Sequence, residues 1–295
     1  MKTYVDCIPC FYRQIIEASR LAGLEDSTIK EIIDETGKIL EESKLDSTPP
    51  EVVGNIYEIL RKRLGNIDFY KQIKEKSNNL ALSVYDLIKE KVSSSEDSLL
   101  TAIEMAIAGN IIDFGVKNSI NVEKEVEKIL KKENQFLKNN NNNFFAYEEF
   151  NSLLEKSKKI VYLADNSGEI LFDRVLIEEI KRLFPKINII FAVKETPVIN
   201  DALKEDALFC KLDKYSTVVS SGSKIPGTML DLCSKDFLEL YKDSDIVISK
   251  GQGNFESFTD KNKPVFYLFM AKCQQVAKEV GCEIGSINLF FNGSK

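Results

Sequence analysis

Hydrophobic positions in the N-terminal part of the chain recur at intervals of three and four residues, which places them on one face of an α-helix. Runs of β-branched residues with a period of two are missing here. Residues 1–137 are therefore predicted to form a bundle of about six helices. The predicted helices cover residues 11–24, 29–40, 52–64, 80–92 and 98–111, followed by a Lys- and Glu-rich helix over 122–137.

From residue 158 onward, short and almost continuous aliphatic runs alternate with helical segments. Strands that are apolar on both faces are typical of a parallel sheet covered by helices on each side. The pattern predicts an α/β protein with a three-layer α/β/α core and a largely parallel sheet, preceded by the N-terminal helical bundle region. The predicted strands are 160–164, 187–193, 217–219, 246–248 and 265–270, and the helices between them include 172–183, 202–212 and 229–241.

A polar, asparagine-rich stretch at residues 138–143 separates the two patterns. Its low complexity favours an exposed loop over a packed element. The sequence thus predicts a helical region at 1–137, a polar loop and lead-in at 138–157, and an α/β core at 158–295.

The most informative motif, Asp165-Asn166-Ser167-Gly168-Glu169, directly follows the first predicted strand. Ligands of parallel sheets bind outside the carboxyl ends of the strands. Adjacent carboxylate and amide oxygens suit a hard cation such as Mg²⁺, and the amides of Ser167 and Gly168 are expected to be free for a phosphate at a helix start. Because Asp, Asn and Ser are also ordinary helix caps, the motif alone leaves a structural role open.

Polar motifs follow the other predicted strands as well. Asp201, after the second strand, would bring another carboxylate to the same edge of the sheet, and the small residues of 220–228 form either a phosphate-facing loop or a turn. The motif at 249–256, Ser-Lys-Gly-Gln-Gly-Asn-Phe-Glu, allows a close backbone approach to a ligand and contains Lys250. It is neither a dinucleotide fingerprint nor a P-loop. Lys272, after the fifth strand, is expected either to line this crevice or to reach the surface.

Composition narrows the chemistry. The chain of 295 residues has no histidine, so a metal would be held by oxygen or sulfur and no imidazole can act as acid or base. Its 40 basic and 46 acidic residues are interspersed and give a net charge of −6, which argues against a nucleic-acid partner. No apolar run is long enough to span a bilayer, and Asp6 interrupts any signal-peptide core. A cytoplasmic protein without membrane partners is expected.

The six cysteines are too sparse for a disulfide scaffold and are expected to be reduced thiols. Cys7 and Cys10 form a C-x-x-C motif, but no second pair and no histidine completes a zinc site. Two thiols beside the core and a metal or redox role both remain open for this pair.

Taken together, the motifs resemble those of the metal-dependent damage-control phosphatases, formerly a domain of unknown function, over nearly the full length of the chain. A C-x-x-C motif such as Cys7/Cys10 is typical of the prokaryotic branch of that family. The resemblance rests on Asp165-Asn166-Ser167-Gly168-Glu169, Asn200-Asp201, Pro226-Gly227-Thr228, the 249–256 motif and Lys272-Cys273.

The resemblance implies a divalent metal (Mg, Mn, Co or Ni) that supports hydrolysis of small phosphorylated metabolites such as sugar phosphates. It implies Asp165, Asn166 and Asp201 as metal ligands, with Asp165 and Lys272 as catalytic residues. The implied substrate-binding residues are Ser167, Glu169, Lys250, Gly251, Gly253 and Asn254.

The sequence also departs from part of the family. The eukaryotic branch has an Arg-Thr-x-Lys motif, but residues 269–271 are Phe, Met and Ala, so its substrate preference is not carried over. A carboxyl methyltransferase and a non-enzymatic metal- or nucleotide-binding regulator are the alternative functions. The natural substrate, the preferred metal, the general base and the oligomeric state stay open at this point.

Overall fold

The N-terminal part of the chain is helical, as the apolar periodicity predicts. The computed structural model describes residues 1–109, 145–260 and 262–294; the predicted helix at 122–137 and the polar loop at 138–143 lie outside these residues. The fourth helix begins well before the predicted residue 80. The sequence pattern missed its first turns because buried polar residues such as Lys74 and Asn78 break the apolar periodicity there. The helices are Ile8–Leu21 (α1), Asp26–Glu42 (α2), Pro49–Leu64 (α3), Lys71–Ser94 (α4) and Ser98–Ala108 (α5).

The C-terminal part is built on one six-stranded sheet with the order β3-β2-β1-β4-β5-β6. The five predicted strands are parallel, and the sixth, which the sequence pattern did not predict, runs antiparallel to β5 at the edge. This edge strand is only partly buried, and Asn288 interrupts its apolar run. The strands are Lys159–Leu163 (β1), Asn188–Val193 (β2), Thr217–Ser220 (β3), Ile246–Lys250 (β4), Val265–Met270 (β5) and Ile287–Phe291 (β6).

Short helices connect the strands. The helix predicted at 229–241 is wrong in its first turns, because the chain there forms a 3₁₀ turn at Leu230–Leu232. The α-helix starts only after Ser234, whose side chain accepts a hydrogen bond from Phe237 N at 3.2 Å. The helices are Tyr147–Lys156 (α6), Glu169–Leu183 (α7), Lys204–Phe209 (α8), Lys235–Lys242 (α9), Gln252–Ser257 (α10) and Gln274–Val280 (α11).

Both faces of the sheet are covered, which confirms the three-layer α/β fold. Side chains on one face of β1, including Ile160 and Tyr162, share a hydrophobic cluster with α4, α5 and α7. Val161 and Leu163 on the other face pack with residues of α9 and α11. Since α4 and α5 complete one layer of the core, these two helices and the sheet fold around common side chains, whereas α1, α2 and α3 form a separate cluster. The division of the chain into a helical region and an α/β core, with a loop and lead-in at 138–157, stays a prediction.

The strand order reverses at β1. The chain moves from β1 to β2 and β3 on one side, and then returns to β4 and β5 on the other side. Such a reversal opens a crevice outside the carboxyl ends of the two central strands, β1 and β4. Among the described residues, no helix has the length and apolar character needed to cross a membrane.

Candidate functional site

The residues that follow β1 form a buried turn at the point where the strand order reverses. Ala164 N still bonds to Ala192 O at 2.9 Å, so the chain keeps its sheet direction up to Asp165. Gly168 then turns the chain into α7 with a φ of 80°, a conformation that glycine adopts without strain. The side-chain-bearing residues of the turn are nearly inaccessible: Asp165, Asn166, Ser167 and Glu169 are between 1% and 8% exposed.

A short antiparallel bridge joins this turn to the loop after β2. Asn166 pairs with Asp201, and on either side Ser167 N donates to Asn200 O at 3.0 Å and Ala202 N donates to Asp165 O at 2.8 Å. The loop reaches this position through Ile199, whose φ of 46° is strained for a β-branched residue. The structure thus brings Asp165, Asn166 and Asp201 together at one edge of the sheet.

Electrostatics at this bridge are dominated by buried carboxyl groups. Burial raises the pKa of Asp165 well above its usual range, and the nearby Glu169 and Asp201 raise it further. Burial also raises the pKa of Asp201 to about 6. A cation bound between these groups would offset both effects on the pKa, because its charge compensates for the lost hydration and for the repulsion between the carboxylates.

The oxygen atoms at the bridge fit a divalent cation. Asp201 Oδ2 is buried and accepts no hydrogen bond from the described residues. Asn166 donates through Nδ2 to Asp165 Oδ2 at 3.1 Å and to Glu169 Oε2 at 3.0 Å, which orients both carboxylates. The described part of the chain contains no group of three His, Cys, Asp or Glu side chains placed to hold a metal. The candidate set therefore needs the Asn166 amide oxygen, with water and substrate in the remaining positions.

Lys250 lies beneath this site rather than in the open crevice. Its side chain is fully buried, forms an ion pair with Asp173 and donates to Ala106 O at 2.8 Å. Burial lowers the pKa of Lys250, but the carboxylates of Asp173 and Glu169 outweigh burial and raise it. Lys250 Nζ is 3.8 Å from Glu169 Oε1. These interior partners indicate that Lys250 supports Glu169, and direct substrate binding by Lys250 stays a prediction without structural support.

Lys272 lies on the open side of the site. It follows β5, its side chain is exposed, and its backbone N donates to Gln252 Oε1 at 2.8 Å. The charge of Lys272 is close enough to Asp165 to lower the pKa of that carboxyl group. The structure therefore places one accessible cation near the buried carboxylates.

The loop after β4 packs directly on Asp165. Gly251 has a φ of 81°, and a Cβ atom at this position would lie 1.9 Å from Asp165 Oδ2. Asn254 donates to Ala164 O at 3.1 Å and to Lys250 O at 2.7 Å, whereas its Oδ1 is buried without a hydrogen-bond donor among the described residues. Glycine at 251 is thus required by close approach as well as by backbone conformation, and the Asn254 oxygen remains for a ligand.

The serine- and glycine-rich loop after β3 has a mainly structural role. Ser221, Ser223 and Thr228 are buried. Ser221 Oγ donates to Val193 O at 2.9 Å, whereas Lys224 is exposed. A phosphate-facing loop at 220–228 is not supported by these contacts.

Lys194 is a residue at the site to which the sequence pattern assigned no role. It follows β2 and is 4% exposed. Its Nζ donates to Gly227 O and lies 3.7 Å from Asp201 Oδ2. Burial lowers the pKa of Lys194, and the carboxylates of Asp201 and Asp165 oppose this effect. The ammonium group therefore links Asp201 to the loop that ends at Thr228.

Asn78, near the start of α4, is a second residue that the sequence analysis missed. Its Oδ1 accepts a hydrogen bond from Gly168 N at 2.6 Å, and its Nδ2 donates to Asp206 Oδ1 at 2.9 Å. The expectation of free amides at Ser167 and Gly168 is therefore wrong, since both amides bond within the protein. A polar residue at a core-facing helical position was the only sequence sign of this contact.

Gly251→Ala is expected to lower the free energy of unfolding by at least about 2 kcal/mol, because it combines a glycine-only conformation with a steric clash. Gly253→Ala is the matched control: a Cβ there meets Gly227 N at an ordinary 3.6 Å. Thermal or denaturant unfolding of both variants tests the comparison. Equal stability of the two proteins would contradict the close packing of Gly251 on Asp165.

Asn78→Ala is expected to lower the free energy of unfolding by about 1–3 kcal/mol, since it leaves the Gly168 amide without a buried partner and removes one of the hydrogen bonds to Asp206, which keeps its ion pair with Lys74. Asn79→Ala, at the exposed neighbouring position of α4, should change stability by less than about 0.5 kcal/mol. Denaturant unfolding of the two variants measures the difference. Indistinguishable midpoints would show that the bond to Gly168 contributes nothing to the fold.

Comparison with known proteins places this chain in a family. A model of the Damage-control phosphatase ARMT1-like domain matches residues 3–287. A damage-control phosphatase of Pyrococcus horikoshii is 34% identical over 290 residues, which cover 97% of each chain. One of Archaeoglobus fulgidus is 32% identical over 292 residues, covering 97% of this chain and 98% of the relative.

An uncharacterised protein of Methanocaldococcus jannaschii is also similar, with 38% identity over 295 residues, covering 97% of this chain and 94% of the relative. The crystal structure of a P. horikoshii protein from the family of domain of unknown function 89 superimposes with a TM-score of 0.86, at 32% identity and with 99% of both chains covered. Family model, full-length relatives and fold agree with the motifs assembled at the edge of the sheet, and the chain belongs to the damage-control phosphatase family with an ARMT1-like domain.

Proposed function

We propose that this protein is a divalent-metal-dependent phosphatase that hydrolyses small phosphomonoesters such as sugar phosphates. The observation that carries the proposal is the Asn166–Asp201 bridge, which joins three oxygen-bearing side chains from two strand ends at the reversal of the sheet. Relatives that match nearly the whole chain are named damage-control phosphatases. Phosphoryl transfer needs charge neutralisation and positioning more than covalent chemistry, and this site offers both.

The proposed roles follow from the position of each group. A cation held by Asp165, Asn166 and Asp201 would supply Lewis-acid polarisation and a more acidic water. Lys272, on the open side, would bind phosphoryl oxygens through its ammonium group. Glu169 is the carboxylate outside this ligand set, and Asn166 Nδ2 and Lys250 hold it in place. We assign to Glu169 the role of general base, which accepts the proton of the attacking water.

The remaining ligand contacts are assigned to buried polar atoms. Ser167 Oγ and Asn254 Oδ1 have no hydrogen-bond partner among the described residues. Ser167 Oγ can donate to a phosphoryl oxygen, and Asn254 Oδ1, as an acceptor, can pair with a donor such as a sugar hydroxyl. Gly251 and Gly253 provide the close backbone approach between these groups. This arrangement supports a hydroxylated phosphomonoester as the substrate class.

No observation favours the alternative functions. A methyltransferase of the dinucleotide-fold type would need a glycine-rich turn after β1, where this chain has Asp165-Asn166-Ser167. Measurement of phosphate release over many turnovers distinguishes a phosphatase from a non-catalytic metal- or nucleotide-binding regulator. The cytoplasmic location, the absence of a nucleic-acid partner and the identity of the metal among Mg, Mn, Co and Ni stay predictions.

Removal of divalent cations with EDTA is expected to abolish phosphate release, and addition of Mg²⁺, Mn²⁺, Co²⁺ or Ni²⁺ should restore it. Binding of the divalent cation should also raise the midpoint of thermal unfolding, because a ligand at about 100 times its Kd stabilises the folded state by about 2.7 kcal/mol. Asp201→Asn should remove this thermal shift, whereas Asp213→Asn, at an exposed position, should retain it. Full turnover by the demetallated protein would contradict the proposal.

Lys272→Ala is expected to lower kcat/KM by about ten- to hundredfold, since it removes a charge-assisted contact worth about 1.5–3 kcal/mol. Stability should change little because the side chain is exposed. Lys278→Ala, at an exposed position of α11, removes the same charge elsewhere and should leave kcat/KM near the parent value. Equal kcat/KM values for the two variants would show that Lys272 is a surface residue without a role in binding the phosphoryl group.

A further inference from the structure

Cys7 and Cys10 lie in the first turn of α1. Cys7 is the N-cap residue of this helix, and Pro9 occupies one of its first two positions. Residues three apart in a helix lie on the same face, with Cα atoms about 5 Å apart. This spacing falls inside the range that a disulfide spans, so the two sulfur atoms can be joined by side-chain rotation.

The two thiols differ in accessibility. Cys10 is exposed and Cys7 is partly buried, and both are free. Burial raises the pKa of Cys7, with smaller effects from Glu256, Cys273 and Cys10. An oxidant in solution therefore reacts with Cys10 first, and Cys7 is the thiol that reacts in the second step.

A third thiol connects this pair to the site. Cys273 is within electrostatic reach of Cys7, and a hydrogen bond of 2.6 Å from Gln275 Nε2 to Asp6 Oδ2 ties the start of α11 to the residue before Cys7. The Gln252 side chain donates to Cys273 Sγ at 3.7 Å and accepts from Lys272 N at 2.8 Å. One glutamine thus contacts both the thiol cluster and the backbone of the proposed phosphate-binding lysine.

We propose that Cys7 and Cys10 form a reversible disulfide, and that Gln252 transmits the change to Lys272. The Cys10 thiolate attacks one sulfur of a small disulfide such as oxidised glutathione, and the first glutathione leaves as a thiolate that takes up a proton. The Cys7 thiolate then attacks Cys10 Sγ, forms the protein disulfide and releases the second glutathione. Two protein thiols are oxidised, one small disulfide is reduced to two thiols, and both Cys protons pass to the departing glutathione thiolates.

A metal site is the less favoured use of these thiols. Zinc in a closed site takes four ligands, and the described residues contain no group of three potential His, Cys, Asp or Glu ligands placed around a common point. Cys7 and Cys10 alone supply two. Their helical spacing, by contrast, meets the Cα separation that a disulfide requires, and a disulfide needs only these two residues.

Transmission to the site follows from the contacts. Closing the disulfide changes the electrostatic surroundings that Cys7 provides for Cys273, and Cys273 is the thiol to which Gln252 donates. Lys272 then loses part of its backbone restraint. This consequence rests on the proposed phosphatase function, and we expect KM of the disulfide form to rise about two- to tenfold, the effect of one neutral hydrogen bond.

The test is incubation of the full chain in glutathione redox buffers, followed by alkylation and peptide mass spectrometry. The expected product is a Cys7–Cys10 peptide lighter by two hydrogens, which dithiothreitol reverses. Cys7→Ser should instead stop at a glutathione adduct on Cys10, and Cys282→Ser should oxidise like the parent protein. The parent protein ending with glutathione on Cys10, or with both thiols still free under oxidising conditions, would overturn the disulfide.

Kinetics in the same buffers test the transmission. The parent protein and Cys282→Ser should show the reversible rise in KM, and Cys7→Ser and Cys10→Ser should not. A disulfide that forms without any change in KM would overturn the role of Gln252. Absence of turnover in the fully reduced, metal-loaded protein would refute the phosphatase function itself, while mass spectrometry still decides the disulfide.

Discussion

The site depends on one short antiparallel bridge outside the sheet, between Asn166 and Asp201. β1 and β2 are parallel neighbours, so each delivers its polar residues to the same edge, but the strands alone do not fix the two loops against each other. The bridge does so with backbone hydrogen bonds on both sides. Its consequence is the crowding of Asp165, Asp201 and Glu169 in a buried place, which a divalent cation would stabilise.

Buried lysines make this crowding tolerable. Lys250 lies beside Glu169 and Asp173, Lys194 beside Asp201, and Lys74 is 2.8 Å from Asp206, below the Gly168 turn. Buried ion pairs contribute little net stability, but the loss of one partner leaves an uncompensated charge. Each lysine comes from a different element, so the charges also define how the helix and loops approach the sheet. The same arrangement leaves Lys272 as an exposed cation near these carboxylates, and it is the residue proposed to bind a phosphoryl group.

The N-terminal helices take part in this construction. α4 supplies Asn78, which fixes the Gly168 amide, and α5 supplies the Ala106 carbonyl, which accepts from Lys250. α4 and α5 therefore support the site from the protein interior, and they share a hydrophobic cluster with the sheet.

The sequence by itself determined the α/β class, the five parallel strands and the motifs at their carboxyl ends, because hydrophobic periodicity and turn residues are local properties. The resemblance to a known family added the roles of Asp165, Asn166 and Asp201. Only the tertiary structure showed that Lys250 faces inward, and that Asn78 and Lys194 support the site. These facts depend on which atoms meet across distant segments, and a buried charge with a partner has the same sequence pattern as a charge in solvent.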